Sequence, residues 1–274
     1  MRAPSALVLS LGLFAAIGCK PGPGASEPTT EPTATTLPAS DHEHTFAYGN
    51  QTIYAYADPE LDGEVSRLFE VFATMAEEAF EIRDGGELPI GWTSLRFAVE
   101  GARITVLEPD YDGDPEHDSR PDISVSLATL ARQRAVLTLA GVAGEPIDFD
   151  RHVLIVHGAL EQPEVFMFRV ESPGGRMTGW RLSPTSGMLP EDEVDSVPVH
   201  AILRARPELL DAMLLPAGFM AFYTGERLVT LVDEHDQVVW DWARDGELAP
   251  QLPPAEPTPS QPVGSPDLLP DLDH

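Results

Sequence analysis

The chain has almost no cysteine and almost no lysine. Cys19 is the only cysteine in 274 residues, so no internal disulfide can form even in an oxidising compartment. Lys20 is the only lysine, and every other cation is an arginine. Basic residues number 17 against 45 acidic ones, a formal net charge of −28. The imbalance belongs to the folded part, because residues 46–246 carry 36 Asp and Glu against 15 Arg, a net charge of −21. A field of that sign repels nucleic acid and anionic membrane surfaces and speeds encounter with cationic partners. It also aids solubility whatever the function. Catalytic signatures are missing as well: there is no nucleophile elbow, no phosphate-binding Gly-Lys-Ser/Thr, no His-Glu-x-x-His and no cysteine-based site. Carboxylates are too numerous for one pair to stand out as acid and base. No catalytic residue, resident metal or cofactor is therefore expected.

The N-terminus carries the strongest local signal. Arg2 precedes an apolar run, Ala6–Ile17, that is too short to span a bilayer comfortably and ends in small residues. That is the plan of a secretory signal peptide. Ala16-Ile17-Gly18-Cys19 resembles the lipobox of bacterial lipoproteins, with Ala16 standing where leucine is usual. The resemblance implies removal of residues 1–18, acylation of Cys19 and export to the cell envelope. Acyl chains bury about 0.8 kcal/mol per CH₂, which makes the lipid bilayer a partner without any spanning helix. Lys20 after the cysteine favours, by the same resemblance, the outer membrane of a Gram-negative bacterium. Residues 19–45 are rich in Pro, Thr, Ser and Glu and read as a disordered tether. Residues 247–274 hold eight prolines and read as a disordered tail. At the end of the tether, Asp41-His42-Glu43-His44 sets two histidines around a glutamate, but neither helical spacing nor a third fixed ligand is evident.

Residues 46–246 read as an α+β domain, a mostly antiparallel sheet with two or three packed helices. Thr45–Tyr48 and Thr52–Tyr56 form a hairpin around Gly49-Asn50. Asp58-Pro59 opens a helix whose stripe of Val65, Leu68, Phe69, Phe72, Ala76, Ala79 and Phe80 faces a core. Gly85-Gly86 is expected to stop it. Ser94–Val99 and Ala102–Leu107 alternate across Glu100-Gly101 as a second hairpin. Pro121–Ala140 suits a helix with Arg132, Gln133 and Arg134 on its polar side, though Ile123–Leu127 could equally start as a strand. Val153–Val156 and Val165–Val170 read as central strands, and Pro184–Ser196 as a polar connection. Pro207 starts a short helix, followed by a meander over Phe219–Tyr223, Arg227–Val232 and Gln237–Trp240.

The second hairpin delivers a loop containing Asp110, Asp112, Asp114, Glu116 and Asp118, introduced by Glu108. An EF-hand needs Gly at its sixth position and Glu at its twelfth; counted from Asp110, Gly113 is fourth and Pro121 twelfth, which excludes that motif. A calcium loop of another kind and a solvated acidic turn both stay open. Gly91-Trp92 and Gly179-Trp180 each place a tryptophan after a glycine at a strand start, which hints at two related halves, 46–150 and 151–246.

Gly91-Trp92-Thr93-Ser94-Leu95-Arg96, Glu108-Pro109-Asp110, Arg132-Gln133-Arg134, Gly179-Trp180 and Pro207-Glu208-Leu209-Leu210 resemble the Imm33-like immunity proteins of bacterial polymorphic toxin systems. The resemblance covers residues 85–232. It departs from the group where Met177-Thr178 precedes Gly179-Trp180 and Pro190-Glu191-Asp192-Glu193 follows. It implies a non-catalytic α+β domain that occludes a cationic protein partner such as a toxin. On that reading Asp110, Asp112 and Asp114 supply long-range attraction. Trp92 and Trp180 are the anchor candidates, unless the strands that follow them bury both. The alternative is an envelope enzyme using the loop carboxylates, with or without calcium.

Overall fold

The computed structural model describes residues 42–186 and 193–246. The lipobox, the tether before His42 and the tail from residue 247 lie outside them. Strands β1 (Glu43–Tyr48) and β2 (Gln51–Tyr56) form the opening hairpin, so His42–Thr45 belong to the domain rather than to the tether. A 3₁₀ turn at Pro59–Leu61 leads into α1 (Asp62–Glu77), which buries Val65, Leu68 and Phe72. The helix ends eight residues before Gly85. Phe80 N–H bonds the Met75 carbonyl at 2.9 Å and Ala79 N–H the Ala76 carbonyl at 3.1 Å, with Ala79 at φ 55°. This is a Schellman stop built on alanine, which leaves Phe80 56% exposed and outside the core. Gly85 and Gly86 instead exchange hydrogen bonds with Phe97.

β3 (Glu87–Ile90), β4 (Thr93–Glu100), β5 (Arg103–Pro109) and the two-residue β6 (Ser119–Arg120) complete a sheet of order β1-β2-β5-β4-β3, with β6 on β5. Helix α2 (Ser124–Ala140) follows. β7 (His152–Val156), β8 (Glu164–Arg169), β9 (Met177–Pro184) and β10 (Val194–Pro198) then begin the second sheet. Thus the segment read as a polar connection ends in a strand. α3 (Val199–Ala205), absent from the sequence reading, and a 3₁₀ helix at Pro207–Ala212 come next. β11 (Met220–Thr224), β12 (Arg227–Val232) and β13 (Val238–Asp241) make the expected meander, closed by α4 (Trp242–Asp245). The second sheet has the order β10-β7-β9-β8-β11-β12-β13.

The fold is α+β, and both sheets are mixed: β2 pairs parallel with β5, and β7 with β9. In each half a strand is rejoined by the second member of a later antiparallel pair, β4–β5 or β8–β9. The boundary at residue 150 separates the sheets, but not the cores, and both sheets lie in one compact unit. One core gathers Ile53, Phe72, Leu95, Phe97 and Ile104; the other holds Trp180, Met167 and Leu210 but also Trp92 and Tyr111 from the first half. α2 lies between them. Leu127 packs on the first core, Val136 on the second and Leu130 on both. It therefore lacks the open polar side expected of it: Gln133 is fully buried and donates to the Leu210 carbonyl at 2.9 Å, Arg132 pairs with Asp211 at 2.9 Å, and Arg134 pairs with Glu64.

Candidate functional site

The acidic loop is anchored at its base and braced across its span. Glu108 is fully buried rather than solvent-facing. Its carboxylate accepts from Arg120 Nε at 2.9 Å and from the Ser126 N–H at 2.8 Å, in the first turn of α2 where unpaired amides favour negative charge. Burial outweighs the Arg120 attraction and lifts the carboxyl to about 7. Tyr111 is buried as well, stacked 5.2 Å from the Trp92 ring, with its hydroxyl 2.6 Å from Thr93 Oγ1. Arg204 of α3 donates to the carbonyls of Tyr111 and Gly113, and Arg96 donates to that of Glu116 at 3.0 Å. Arginines from both halves thus hold the loop backbone.

The three aspartates point to different neighbours. Asp110 accepts from the Asp112 N–H at 3.2 Å, Asp112 pairs with Arg120 at 2.9 Å, and Asp114 lies 2.9 Å from His117 Nδ1. Among the described residues they do not gather as a cation site. What the loop presents outward is a rim with Asp112 and Asp114 exposed.

Trp92 and Trp180 are both 0% exposed, so neither offers its ring to a partner. Their sequence likeness has a structural counterpart. Each indole N–H donates to a main-chain carbonyl, Trp92 to Ser126 at 3.3 Å and Trp180 to Met213 at 2.8 Å. Each preceding glycine has positive φ, +59° at Gly91 and +87° at Gly179. Other aromatics, not singled out above, line a partly open sheet face. On β8 and β11, Val165, Met167, Ala221 and Tyr223 point inward, while Phe166, Phe168, Met220 and Phe222 are half-buried on the opposite face. Phe166 stacks between Phe168 at 6.1 Å and Phe222 at 5.7 Å, and Arg181 of β9 lies 5.9 Å over Phe168. The alternation Phe166-x-Phe168 in an otherwise apolar strand was the available signal.

At the other end of the molecule's chain order, the sequence lacked a third ligand for His42 and His44; folding supplies Asp62. Among the described residues no helix is long and apolar enough to cross a membrane.

Residues 132–238 match the Imm33-like domain. The match starts inside α2 and ends at the first residue of β13, so it covers the second sheet apart from most of that last strand. Gly91-Trp92 and Glu108-Pro109-Asp110, on which the sequence resemblance partly rested, lie outside it. No curated protein and no solved structure matches the chain.

Proposed function

We propose that this chain is a lipid-anchored envelope protein whose Imm33-like half binds and occludes a cationic protein partner, a toxin being the kind the family implies, without catalysing a reaction. The match over residues 132–238 carries the reading, because it coincides with the sheet that bears the aromatic face. Phe166, Phe168 and Phe222, flanked by Arg181, combine side-chain types enriched at protein interfaces. The net charge of −28 and the exposed Asp112 and Asp114 favour a basic partner and raise the encounter rate more than the affinity. Cys19 holds the protein at the envelope, with acyl burial as the membrane-binding force.

Toxin and immunity genes of such systems travel together, so the test pairs this chain with the products of its neighbouring genes. Co-expression should restore growth where one of them is toxic. With the purified pair, Phe168→Ala should speed dissociation about thirtyfold, as an anchor worth roughly 2 kcal/mol requires. Asp112→Asn with Asp114→Asn should slow association and flatten its salt dependence. Cys19→Ser should move the protein from membranes to the soluble fraction. Absence of binding and protection for every neighbour, or a pair indifferent to Phe168, refutes the occlusion reading; a wild-type chain already soluble refutes the anchor.

A further inference from the structure

We infer that His42, His44 and Asp62 form a site for one divalent transition-metal ion of the zinc class, placed where the chain enters the domain. Period-2 geometry makes His42 and His44 face the same way, while Glu43 between them turns aside to accept from the Tyr56 hydroxyl at 2.7 Å. The pair is held in register. His44 stands opposite Ala55 in the β1–β2 ladder, and the His42 carbonyl accepts from Ala57 N–H at 3.2 Å. Asp62, the first residue of α1, comes from a separate element to meet them.

The spacing distinguishes a metal site from simple ion pairs. His42 Nε2 lies 3.5 Å from Asp62 Oδ1 and His44 Nε2 lies 3.6 Å from the same oxygen, both beyond a good hydrogen bond. Ligands at about 2.0–2.1 Å from a tetrahedral zinc stand about 3.3–3.4 Å apart, close to these edges. All three ligand atoms lie within 4.8 Å of one another. The imidazole planes cross at 82° with centroids 4.6 Å apart, so two rings approach one point without stacking. The second observation is His44 Nε2 itself, which has no exposed surface and no hydrogen-bond partner. A buried ring nitrogen left that way is costly, and a cation at the centre of the triangle satisfies it.

Two imidazole nitrogens with one carboxylate oxygen select zinc, nickel, cobalt or copper over calcium and magnesium, which prefer oxygen cages. Three protein ligands leave a tetrahedral ion one further position, for water or for a group on another molecule. Within the protein, the ion ties β1 to the first turn of α1. β1 is an edge strand, paired with β2 alone among the described strands. The clasp would fix the point at which the preceding segment leaves the domain. This assignment is independent of the occlusion reading.

The test uses the full chain, freed of metal by chelator and titrated with Co²⁺, whose tetrahedral complexes absorb visibly, and then with Zn²⁺. One Co²⁺ per chain should bind saturably and be displaced by Zn²⁺, and Zn²⁺ should raise the melting temperature until chelator reverses it. His42→Gln, His44→Gln and Asp62→Asn should each lower affinity by more than about tenfold. His42 and Asp62 are 45% and 53% exposed, so their variants fold even where His44→Gln does not. His235→Gln, on the β12–β13 turn, should bind as wild type does. Lack of saturable binding, full binding after His42→Gln and Asp62→Asn, or an equal rise in melting temperature with Ca²⁺ would overturn the assignment.

Discussion

Replacing Gly179 by alanine should destabilise the protein more than the same change at Gly91, and Gly91 more than Gly101. All three have positive φ, +87°, +59° and +62°, so all share one penalty. That penalty is about 1–2 kcal/mol for a side chain in the left-handed region, reduced by about 0.4–1 kcal/mol because alanine also restricts the unfolded chain. At Gly101 a Cβ meets nothing within 4 Å, and the net loss should stay near 1 kcal/mol. At Gly91 it falls 2.4 Å from Leu130 Cδ2, the tip of a flexible side chain. Leu130 can turn aside for about another 1 kcal/mol of rotamer strain. At Gly179 it falls 2.3 Å from the Val170 carbonyl oxygen, and backbone cannot turn aside. The Val170 N–H also bonds the Gly179 carbonyl at 3.1 Å, so a shift there strains the ladder. Overpacking of this kind adds about 1–3 kcal/mol, for a total near 3. Each kcal/mol is about 2–4 °C for a domain of this size, so the melting points should separate visibly. Urea midpoints of the three variants give the ranking. If Gly179→Ala loses no more than Gly101→Ala, the close approach at the Trp180 strand is not what the glycine is for.

Two further outcomes concern the acidic loop. Between the ordinary carboxyl value of 4.5 and about 7, the unfolded chain has released the Glu108 proton while the folded chain keeps it, so rising pH favours unfolding. Glu108→Gln should flatten this part of the urea midpoint against pH, leaving the smaller slope of Asp211, which burial raises to about 6; an unchanged slope would show that Glu108 ionises freely in the fold. Asp112→Asn with Asp114→Asn should leave the melting temperature unchanged, since both are exposed and their ion pairs are screened by water; a clear drop would make the rim structural.

What could be read in advance was whatever local chemistry decides. The β11–β13 meander was legible as three short runs, Phe219–Tyr223, Arg227–Val232 and Gln237–Trp240. Gly-Trp at two strand starts hinted at two related halves, and the likeness is visible locally in paired positive φ values and carbonyl-bonded indoles. What stayed hidden depends on partners distant in sequence. α1 ends on Ala79, a residue without the glycine signature of a left-handed cap. α2 loses its polar side because Asp211 and Glu64 arrive from elsewhere to pair with Arg132 and Arg134. Glu108 looks like any loop carboxylate until Arg120 and the start of α2 close over it. The histidines looked ligand-poor because Asp62 stands in the next helix, and because residues up to Thr45 read as tether rather than as the strand that sets the two side chains on one face.

The matched segment, residues 132–238, is shorter than the unit that folds. Its core is completed by Trp92, fully buried, and Tyr111, 3% exposed, both contributed by the first half. Each such ring removes about 150–250 Å² from water, roughly 4–6 kcal/mol at about 25 cal/mol per Å² as an upper estimate. Losing both takes away about as much as the whole stability of a typical domain, about 5–15 kcal/mol. Residues 124–246, which keep α2 intact, should therefore fail to unfold cooperatively in urea and should lack the near-ultraviolet signal of a fixed Trp180. Adding residues 42–123 as a separate chain should restore both, because the contacts that hold Trp92 and Tyr111 do not require the connecting peptide bond. A fragment 124–246 that melts cooperatively near the full-length midpoint would mean that the second sheet closes its core without these rings, and that the first half is an addition to an already complete fold.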